Sequence, residues 1–464
     1  MNQKLSDYKD YIRAKKVAVL GIGISNMPLI RYLAALKVEI TAFDKSEEQD
    51  LAEQLKALDG FKINYSLGKN YLDNLKGFDV IFKTPKIRYD IPELTAERSR
   101  GAVVTSEMEV FCDLCPARIF AVTGSDGKTT TTTLIYKMLK LQGFKCWLGG
   151  NIGTPLLDRI DEIGAEDMVV LELSSFQLHT MKCRVNTAVI TNMSPNHLDV
   201  HTSMEEYMDA KKNIYRYQTE DDRLILNYDN AITRSFASEA NGQVVFFSRT
   251  QALEKGMALE NNKFIFKTAD ESKFILDADD IKLPGMHNVE NYLAAAAAVI
   301  KHVESDAVRQ VARSFNGVEH RNELVRELKG VKFYNDSIGS SPTRTIATMS
   351  AFNRKLILIT GGYDKNIPYD SMGKILTEQV KCLVLIGQTG ALIEKAFDDE
   401  VEKTGKGREI PVYKCATLQE AVEKAYANAV ENDIILLSPA SASFDMFKNF
   451  EERGNIFKEI VKNL

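Results

Sequence analysis

The chain has 464 residues, 44% of them hydrophobic and 27% charged, and a formal net charge of −5. This is the composition of a globular protein with two to four domains as the length expectation, and its acidic balance favours neither nucleic acid nor an anionic membrane surface. No apolar run reaches the roughly 18 residues of a membrane span, the first residues lack the apolar core of a secretion signal, and six scattered cysteines suit reduced thiols in a cytoplasm better than a disulfide framework.

In chain order, strand and helix patterns alternate in three blocks, which predicts doubly wound α/β layers. The first block opens with the strand Val17–Leu20, then Gly21-Ile22-Gly23-Ile24-Ser25-Asn26 and a helix pattern from Leu29 to Leu36. A second strand, Glu39–Phe43, ends in Asp44, and a later one, Val80–Phe82, ends at Thr84-Pro85. The glycine spacing with Asp44 has the form of a dinucleotide fingerprint whose third glycine is Asn26. It fits a nucleotide or diphosphate site and a plain βα turn alike. The block ends near residue 107. Cys112-Asp113-Leu114-Cys115 has no second ligand pair at zinc spacing and reads as plain thiols rather than a redox site.

The second block, 108–317, contains the strongest signal. The apolar run Ile119–Val122, with Val122 as its last strand residue, leads into Thr123-Gly124-Ser125-Asp126-Gly127-Lys128-Thr129-Thr130 and a helix pattern through Leu139. Backbone N–H groups at such a helix start point at an anion. Lys128 adds a charge for phosphate and Thr129 a hydroxyl for Mg²⁺. The loop predicts nucleoside triphosphate binding. It is a shorter variant, because Val122 stands where the longer phosphate loop carries glycine. Strands Met168–Leu171 and Thr187–Ile190 end in Glu172 and Thr191-Asn192. Glu172 offers a carboxylate to the Mg²⁺ of the triphosphate, or belongs to a serine-rich helix start. His197 follows in a polar loop, as a metal or phosphate group or an exposed side chain. His179 and His302 read as structural. Lys211 and Lys212 fall on a helix, which alone implies a solvated face. After β-rich runs at Val244–Phe247 and Lys263–Phe266, an alanine-rich helix spans roughly 288–303. Asn288 and Asn291, one turn apart on it, suit either an adenine or ribose contact or a helix cap.

The third block, 318–464, has strands Val331–Tyr334, Leu356–Thr360, Cys382–Ile386 and Ile434–Leu437. His320-Arg321, Gly361-Gly362-x-x-Lys365 and the hydroxyl-rich Ser438–Asp445 together predict a basic, hydrogen-bonding pocket for a small anionic substrate. Unusual polar residues follow strands in every block. Since ligands of open α/β sheets bind beyond the carboxyl ends of strands, one cleft between domains is expected.

Thr123–Thr130, Gly150-Asn151-Ile152-Gly153, Glu172-Leu173-Ser174-Ser175-Phe176-Gln177-Leu178, His197, His320-Arg321, Asn335-Asp336-Ser337 and Gly361-Gly362-x-x-Lys365 run in the order seen in the Mur ligase family. The likeness covers nearly the whole chain. The glutamate segment and the Ser438–Gly454 run resemble the branch that adds D-glutamate. The resemblance implies three domains: a Rossmann-like N-terminal domain (1–107) for the uridine diphosphate of the muramoyl substrate, a P-loop-type mononucleotide-binding central domain (108–317) for ATP, and a Rossmann-like C-terminal domain (318–464) for the amino acid. It implies ATP-dependent ligation of D-glutamate to UDP-N-acetylmuramoyl-L-alanine through an acyl phosphate, in cytoplasmic peptidoglycan precursor synthesis. ATP and two Mg²⁺ ions are the implied cofactors. A monomer is expected, with neither nucleic acid nor membrane as partner.

By position, the family's ATP residues fall on Gly124, Ser125, Asp126, Gly127, Lys128, Thr129, Thr130, Asn288, Asn291, Arg321 and Asp336. Its metal residues fall on Thr129, Glu172, His197 and Lys211, and catalysis is expected from Lys128, His197 and Lys211. Lys211 aligns with a lysine that the family carbamylates, which turns a cation into a two-oxygen anionic ligand, and Lys212 is the fallback if the register is off by one. Gly23, Ile24, Ser25, Asp44 and Thr84 match the uridine-diphosphate side, Asn151 a phosphate or substrate carboxylate, and Lys365, Ser443 and Phe450 the D-glutamate side. Two departures stand out: Ile338-Gly339-Ser340 where many relatives have Lys-Ala-Thr, and Lys86 where glycine is common. The rivals are another amino-acid ligase of the family, folylpolyglutamate synthase, or a non-ligating nucleotide switch. The switch does not account for the third block's polar strand ends, and no Asp-Asn-Pro-Arg segment of the diamino-acid-adding branch is found.

Overall fold

The computed structural model describes residues 3–23, 25–85, 87–194, 201–283, 285–364 and 367–464. Ile24, Lys86, His197 and Lys365, all singled out in the sequence, lie outside the described residues. Three sheets follow one another along the chain. The first comprises β1 (Lys16–Leu20), β2 (Glu39–Asp44), β3 (Ile63–Leu67), β4 (Val80–Lys83) and β5 (Val103–Thr105), all parallel, in the order β3-β2-β1-β4-β5. Strand order reverses between β1 and β4, which places a ligand crevice at their carboxyl ends.

The second sheet has nine strands: β6 (Arg118–Thr123), β7 (Cys146–Gly150), β8 (Met168–Glu172), β9 (Thr187–Ile190), β10 (Arg223–Asn227), β11 (Gln243–Ser248), β12 (Gly256–Glu260), β13 (Lys263–Lys267) and β14 (Ser272–Asp277). Their order is β14-β13-β12-β11-β10-β9-β6-β8-β7, with antiparallel pairing only from β12 to β14. The third sheet, β15-β16-β20-β17-β18-β19, is built from β15 (Glu323–Leu328), β16 (Val331–Asn335), β17 (Leu356–Thr360), β18 (Val380–Leu385), β19 (Val412–Lys414) and β20 (Ile434–Leu437). Only its edge strand β15 runs antiparallel. The central strands β4, β8, β9, β17 and β20 are buried at every residue, because layers on both faces cover a parallel sheet.

Several elements shift by a residue or more from their expected bounds, and two of the shifts have a visible cause. β6 runs one residue past Val122. Thr123 stays in the ladder because its carbonyl accepts from Thr191 N at 3.0 Å and its hydroxyl donates to Leu173 O at 2.7 Å. The alanine-rich helix is Met286–Val299 rather than 288–303. The buried guanidinium of Arg223 donates to Ala297 O and Ala298 O and so satisfies carbonyls that the helix end leaves open. The first two sheets fall in one compact unit, the described residues up to Ile281 with Met286–Arg313. The third sheet falls in another, Lys282–Gly285 with Ser314–Leu464.

Candidate active site

The glycine loop of the second sheet leaves β6 and enters the helix Lys128–Leu141, with Gly127 as its N-cap. Both glycines are required by space as well as by conformation. Gly124 has φ +146°, and a Cβ there would lie 2.0 Å from Thr191 Oγ1. Gly127 has φ +79°, and a Cβ there would lie 2.2 Å from Asn291 Oδ1. The neighbouring strand end braces the loop: Ser125 N donates to Asn192 O at 3.0 Å, and Asp126 N to Asn192 Oδ1 at 2.9 Å. Lys128 Nζ folds back onto Gly124 O and Ser125 O at 3.1 and 2.9 Å. Thr129 lies in the first helical turn, next to Thr130. Asn291 accepts from Thr131 Oγ1 and donates to Asn288 Oδ1. This puts both asparagines beside the loop rather than on an unrelated face of their helix.

Glu172 ends β8, the strand beside β6, and is 1% exposed. Its Oε1 accepts from Asn151 Nδ2 at 2.7 Å, while its Oε2 is buried with no hydrogen-bond partner. A desolvated carboxylate oxygen left open in this way fits a divalent cation. The serine-rich stretch is also a helix start: Ser174 caps Ser175–Leu178 in a reciprocal box with Gln177, and Glu172 stays outside it. The two lysines of the helix Met204–Arg216 separate sharply. Lys212 pairs with Glu239 in solvent, whereas Lys211 is 1% exposed and donates to Thr123 Oγ1 at 3.0 Å and Gly124 O at 2.8 Å. Burial, and then the Lys128 charge, hold the Lys211 amine well below the ordinary lysine value, with Glu172 and Asp126 opposing. A neutral amine is the form that reacts with CO₂.

At the first sheet, Asn26 Nδ2 donates to Leu20 O at 2.9 Å and Gly21 O at 3.1 Å. The bulk that replaces the third glycine therefore closes the loop from inside. Asp44 accepts from Ile22 N at 2.8 Å and Ser46 N at 2.9 Å. Thr84 Cγ2 comes within 3.4 Å of where a Gly21 Cβ would sit, so the β1 and β4 ends meet. Gly23 and Ser25 belong to the same turn.

In the second unit, adjacent strands β16, β20 and β17 deliver Asp336, Ser438 and Gly361. Asp336 is buried and accepts from Ser438 Oγ at 2.7 Å, and burial pushes its carboxyl up to about 6. A Cβ at Gly339 would lie 2.6 Å from Asp336 Oδ2. His320 is buried with φ +61° and meets Asn335 Nδ2 at 3.0 Å, while Arg321 is exposed. Ser443 is buried, and Phe450 starts the helix Phe450–Asn463 with its carbonyl accepting from Ser337 Oγ at 2.8 Å. Arg453, given no role from sequence, holds this end together. It is 1% exposed and donates to Ser337 Oγ, Ser337 O, Ser441 O and Ala442 O. The signal was available, since Arg453 shares the buried stripe of Phe457, Ile460 and Val461 at helical spacing.

Sequence reading also passed over His201, whose Nε2 lies 2.9 Å from Ser175 Oγ. With His179 and Glu206 it forms a group whose ligand atoms lie within 4.8 Å of one another. Glu206 is already committed: Arg88 Nη2 binds its Oε1 at 2.9 Å and Thr202 its Oε2. The guanidinium already neutralises the carboxylate charge that a metal ion would draw on. Tyr207 OH lies 3.1 Å from Ser125 Oγ and so ties the same region to the glycine loop.

Three family models match in succession: the Mur ligase MurD-like N-terminal domain over residues 15–106, the Mur ligase middle domain over 122–299, and the Mur ligase glutamate ligase domain over 320–441. A protein of Acetivibrio thermocellus named UDP-N-acetylmuramoylalanine–D-glutamate ligase is 64% identical over 464 residues, covering the whole of both chains. One of the same name from Ruminiclostridium cellulolyticum is 58% identical over the same span. The solved structure of UDP-N-acetylmuramate–alanine ligase from Thermotoga maritima shares the fold, with a TM-score of 0.55 at 21% identity over 97% of this chain and 99% of that one. With sheets, glycine loop and strand-end polar groups in the same succession as these matches, the chain belongs to the Mur ligase family.

Proposed function

We propose that this chain joins D-glutamate to UDP-N-acetylmuramoyl-L-alanine at the expense of ATP, as a step of peptidoglycan precursor synthesis. The carrying observation is end-to-end identity of 64% and 58% with ligases named for that reaction. The muramoyl-alanine carboxylate attacks the γ-phosphate to give an acyl phosphate and ADP. The D-glutamate amine then attacks the carbonyl, and phosphate leaves. The obstacle is electrostatic: two unit charges 4 Å apart repel by about 4 kcal/mol at an effective dielectric near 20, and a triphosphate carries several.

The loop Gly124–Thr130 cradles phosphate with its backbone N–H groups, and Lys128 swings from the loop carbonyls onto the transferring phosphoryl group. Thr129, Glu172, His197 and a carbamylated Lys211 would hold Mg²⁺, in two sites. Bound there, Mg²⁺ supplies charge neutralisation of the triphosphate and of the departing oxygen. Asn151, fixed by Glu172, presents its amide to the substrate carboxylate or phosphate. Asn288 and Asn291, with Arg321 and Asp336, serve ATP. Gly23, Ile24, Ser25, Asp44 and Thr84 hold the uridine diphosphate, and Lys365, Ser443 and Phe450 the D-glutamate. The three functional segments are 1–107, 108–317 and 318–464, and the catalyst is a cytoplasmic monomer.

The test is phosphate release with ATP, Mg²⁺ and UDP-N-acetylmuramoyl-L-alanine, offered single amino acids in turn. Release stimulated by D-glutamate, with a new peptide bond in the product, is expected. Release indifferent to D-glutamate would sink the assignment.

A further inference from the structure

Four lysines and arginines are buried among the described residues: Lys83, Lys211, Arg223 and Arg453. Three of them are spent on acceptors. Lys211 donates to the glycine loop, Arg223 to a helix end, and Arg453 to four oxygens of the third sheet's loops. Lys83 differs. It is 3% exposed, and the structure gives it no hydrogen bond and no ion pair. Among the described residues, the one charge that acts on it is Glu109, through space. A lysine whose stem is buried and whose ammonium has no protein acceptor is placed to meet a ligand that supplies one.

Its position says which ligand. Lys83 closes β4 in register with Leu20 of β1, at the reversal of strand order where a doubly wound sheet binds its ligand. Around that point Asp44 contributes a negative charge, and Gly21 and Thr84 contribute none. Lys83 is the one buried cation of the first sheet's residues among those described. A nucleoside diphosphate brings at least two negative charges to the same crevice, more than the backbone groups of a short turn offset.

We infer that Lys83 binds the diphosphate of the nucleotide-sugar substrate and so fixes where the muramoyl arm starts. This inference rests on the reading of the first unit as a uridine-diphosphate site. Burial lowers the Lys83 amine to about 8, with Glu109 opposing, so the side chain still carries its proton at neutral pH.

The experiment is calorimetric titration of the full chain with UDP-N-acetylmuramoyl-L-alanine, UDP and uridine, comparing wild type with Lys83→Met and Lys83→Arg. Lys83→Met should weaken UDP and the full substrate about ten- to a hundredfold, the range for a charged hydrogen bond, and leave uridine within about twofold. Lys83→Arg should keep most of the preference for UDP over uridine, which also shows that the site tolerates substitution. Equal affinity of wild type and Lys83→Met for UDP overturns the inference. So does a parallel loss of uridine and UDP, which would assign Lys83 to the fold. Wild type that binds none of the three removes the uridine-diphosphate reading itself, and this inference with it.

Discussion

The glycine loops of the first and second sheets share a frame, a parallel strand running through a glycine turn into a helix, yet they are furnished oppositely. The first is closed by a neutral amide, Asn26, and a carboxylate, Asp44. The second is overhung by two lysines, Lys128 and Lys211, that converge on Gly124 O. One turn frame is therefore furnished with opposite charges, and the side chains in and around the turn make the difference. In the first loop the carboxylate bonds the turn itself, and the buried cation comes from the end of the adjacent strand β4. In the second, one cation is buried beneath the loop and the other folds over it.

The largest effect should come from breaking the cationic side. Lys128→Ala is expected to lower kcat by about 10²–10³-fold, as when a transition-state donor is removed, while thermal unfolding shifts little. Steady-state phosphate release alongside a melting curve checks both. Retained turnover would refute the phosphate role. Lys211→Ala should lose activity on the same scale and recover part of it in acetate, which replaces a carbamate's two oxygens. Lys212→Ala, whose ammonium faces Glu239 in solvent, should stay within about twofold. Full activity of Lys211→Ala without acetate would exclude a carbamate there.

A second contrast separates the glycines. Gly127→Ala forces a Cβ to 2.2 Å from Asn291 Oδ1 at φ +79°, which should cost about 2–4 kcal/mol from backbone strain and overlap together. Gly23 lies outside the positive-φ set, and a Cβ there meets nothing within 4 Å. Gly23→Ala should fall between no change and about 1 kcal/mol of stabilisation. Urea unfolding of both variants measures the difference. Similar losses would mean that the two loops are equally tight and that the contrast drawn from their surroundings is wrong.

Much of this was legible in the sequence because parallel strands buried on both faces are written as unbroken apolar runs. Thr187–Ile190, Leu356–Thr360 and Ile434–Leu437 appear with the bounds read from them. β15 escaped notice because Glu323–Leu328 mixes charges into a half-exposed edge strand, and β5 because three residues carry no period. Within the site, residue type and order were readable but burial was not. Lys211 and Lys212 are chemically identical neighbours, and only the helix's orientation over β6 distinguishes an amine inside the loop from one in solvent. For Arg453 and Asn26 the residue was readable but its partners were not, since all of them but Ser337 Oγ are main-chain carbonyls, which no side-chain motif records.

Asn26 supplies the smallest test and the most direct one of how the first loop is held. Its amide gives the loop two hydrogen bonds, but the two carbonyls are not equally dependent on it. Leu20 O also accepts from Thr84 N at 3.2 Å, so truncation leaves it one partner. Gly21 O loses the donor given to it from inside the turn. Asn26→Ala should therefore cost about 1–2 kcal/mol rather than twice a full unsatisfied carbonyl. Asn26→Gly, which restores the usual third glycine, should not do better, because the fingerprint's spacing is kept while the donor is still absent. Asn26→Asp should be worse than alanine, since a buried carboxylate would face two carbonyl oxygens. The second loop obtains comparable bracing from Asn192, just past the end of β9, which bonds Asp126 N and Asp126 O. That asparagine lies outside the turn and leaves the space within it free for phosphate. If all three Asn26 variants unfold at the wild-type urea concentration, the first loop is held by its strand ladder alone, and the amide closure does not distinguish it from the second.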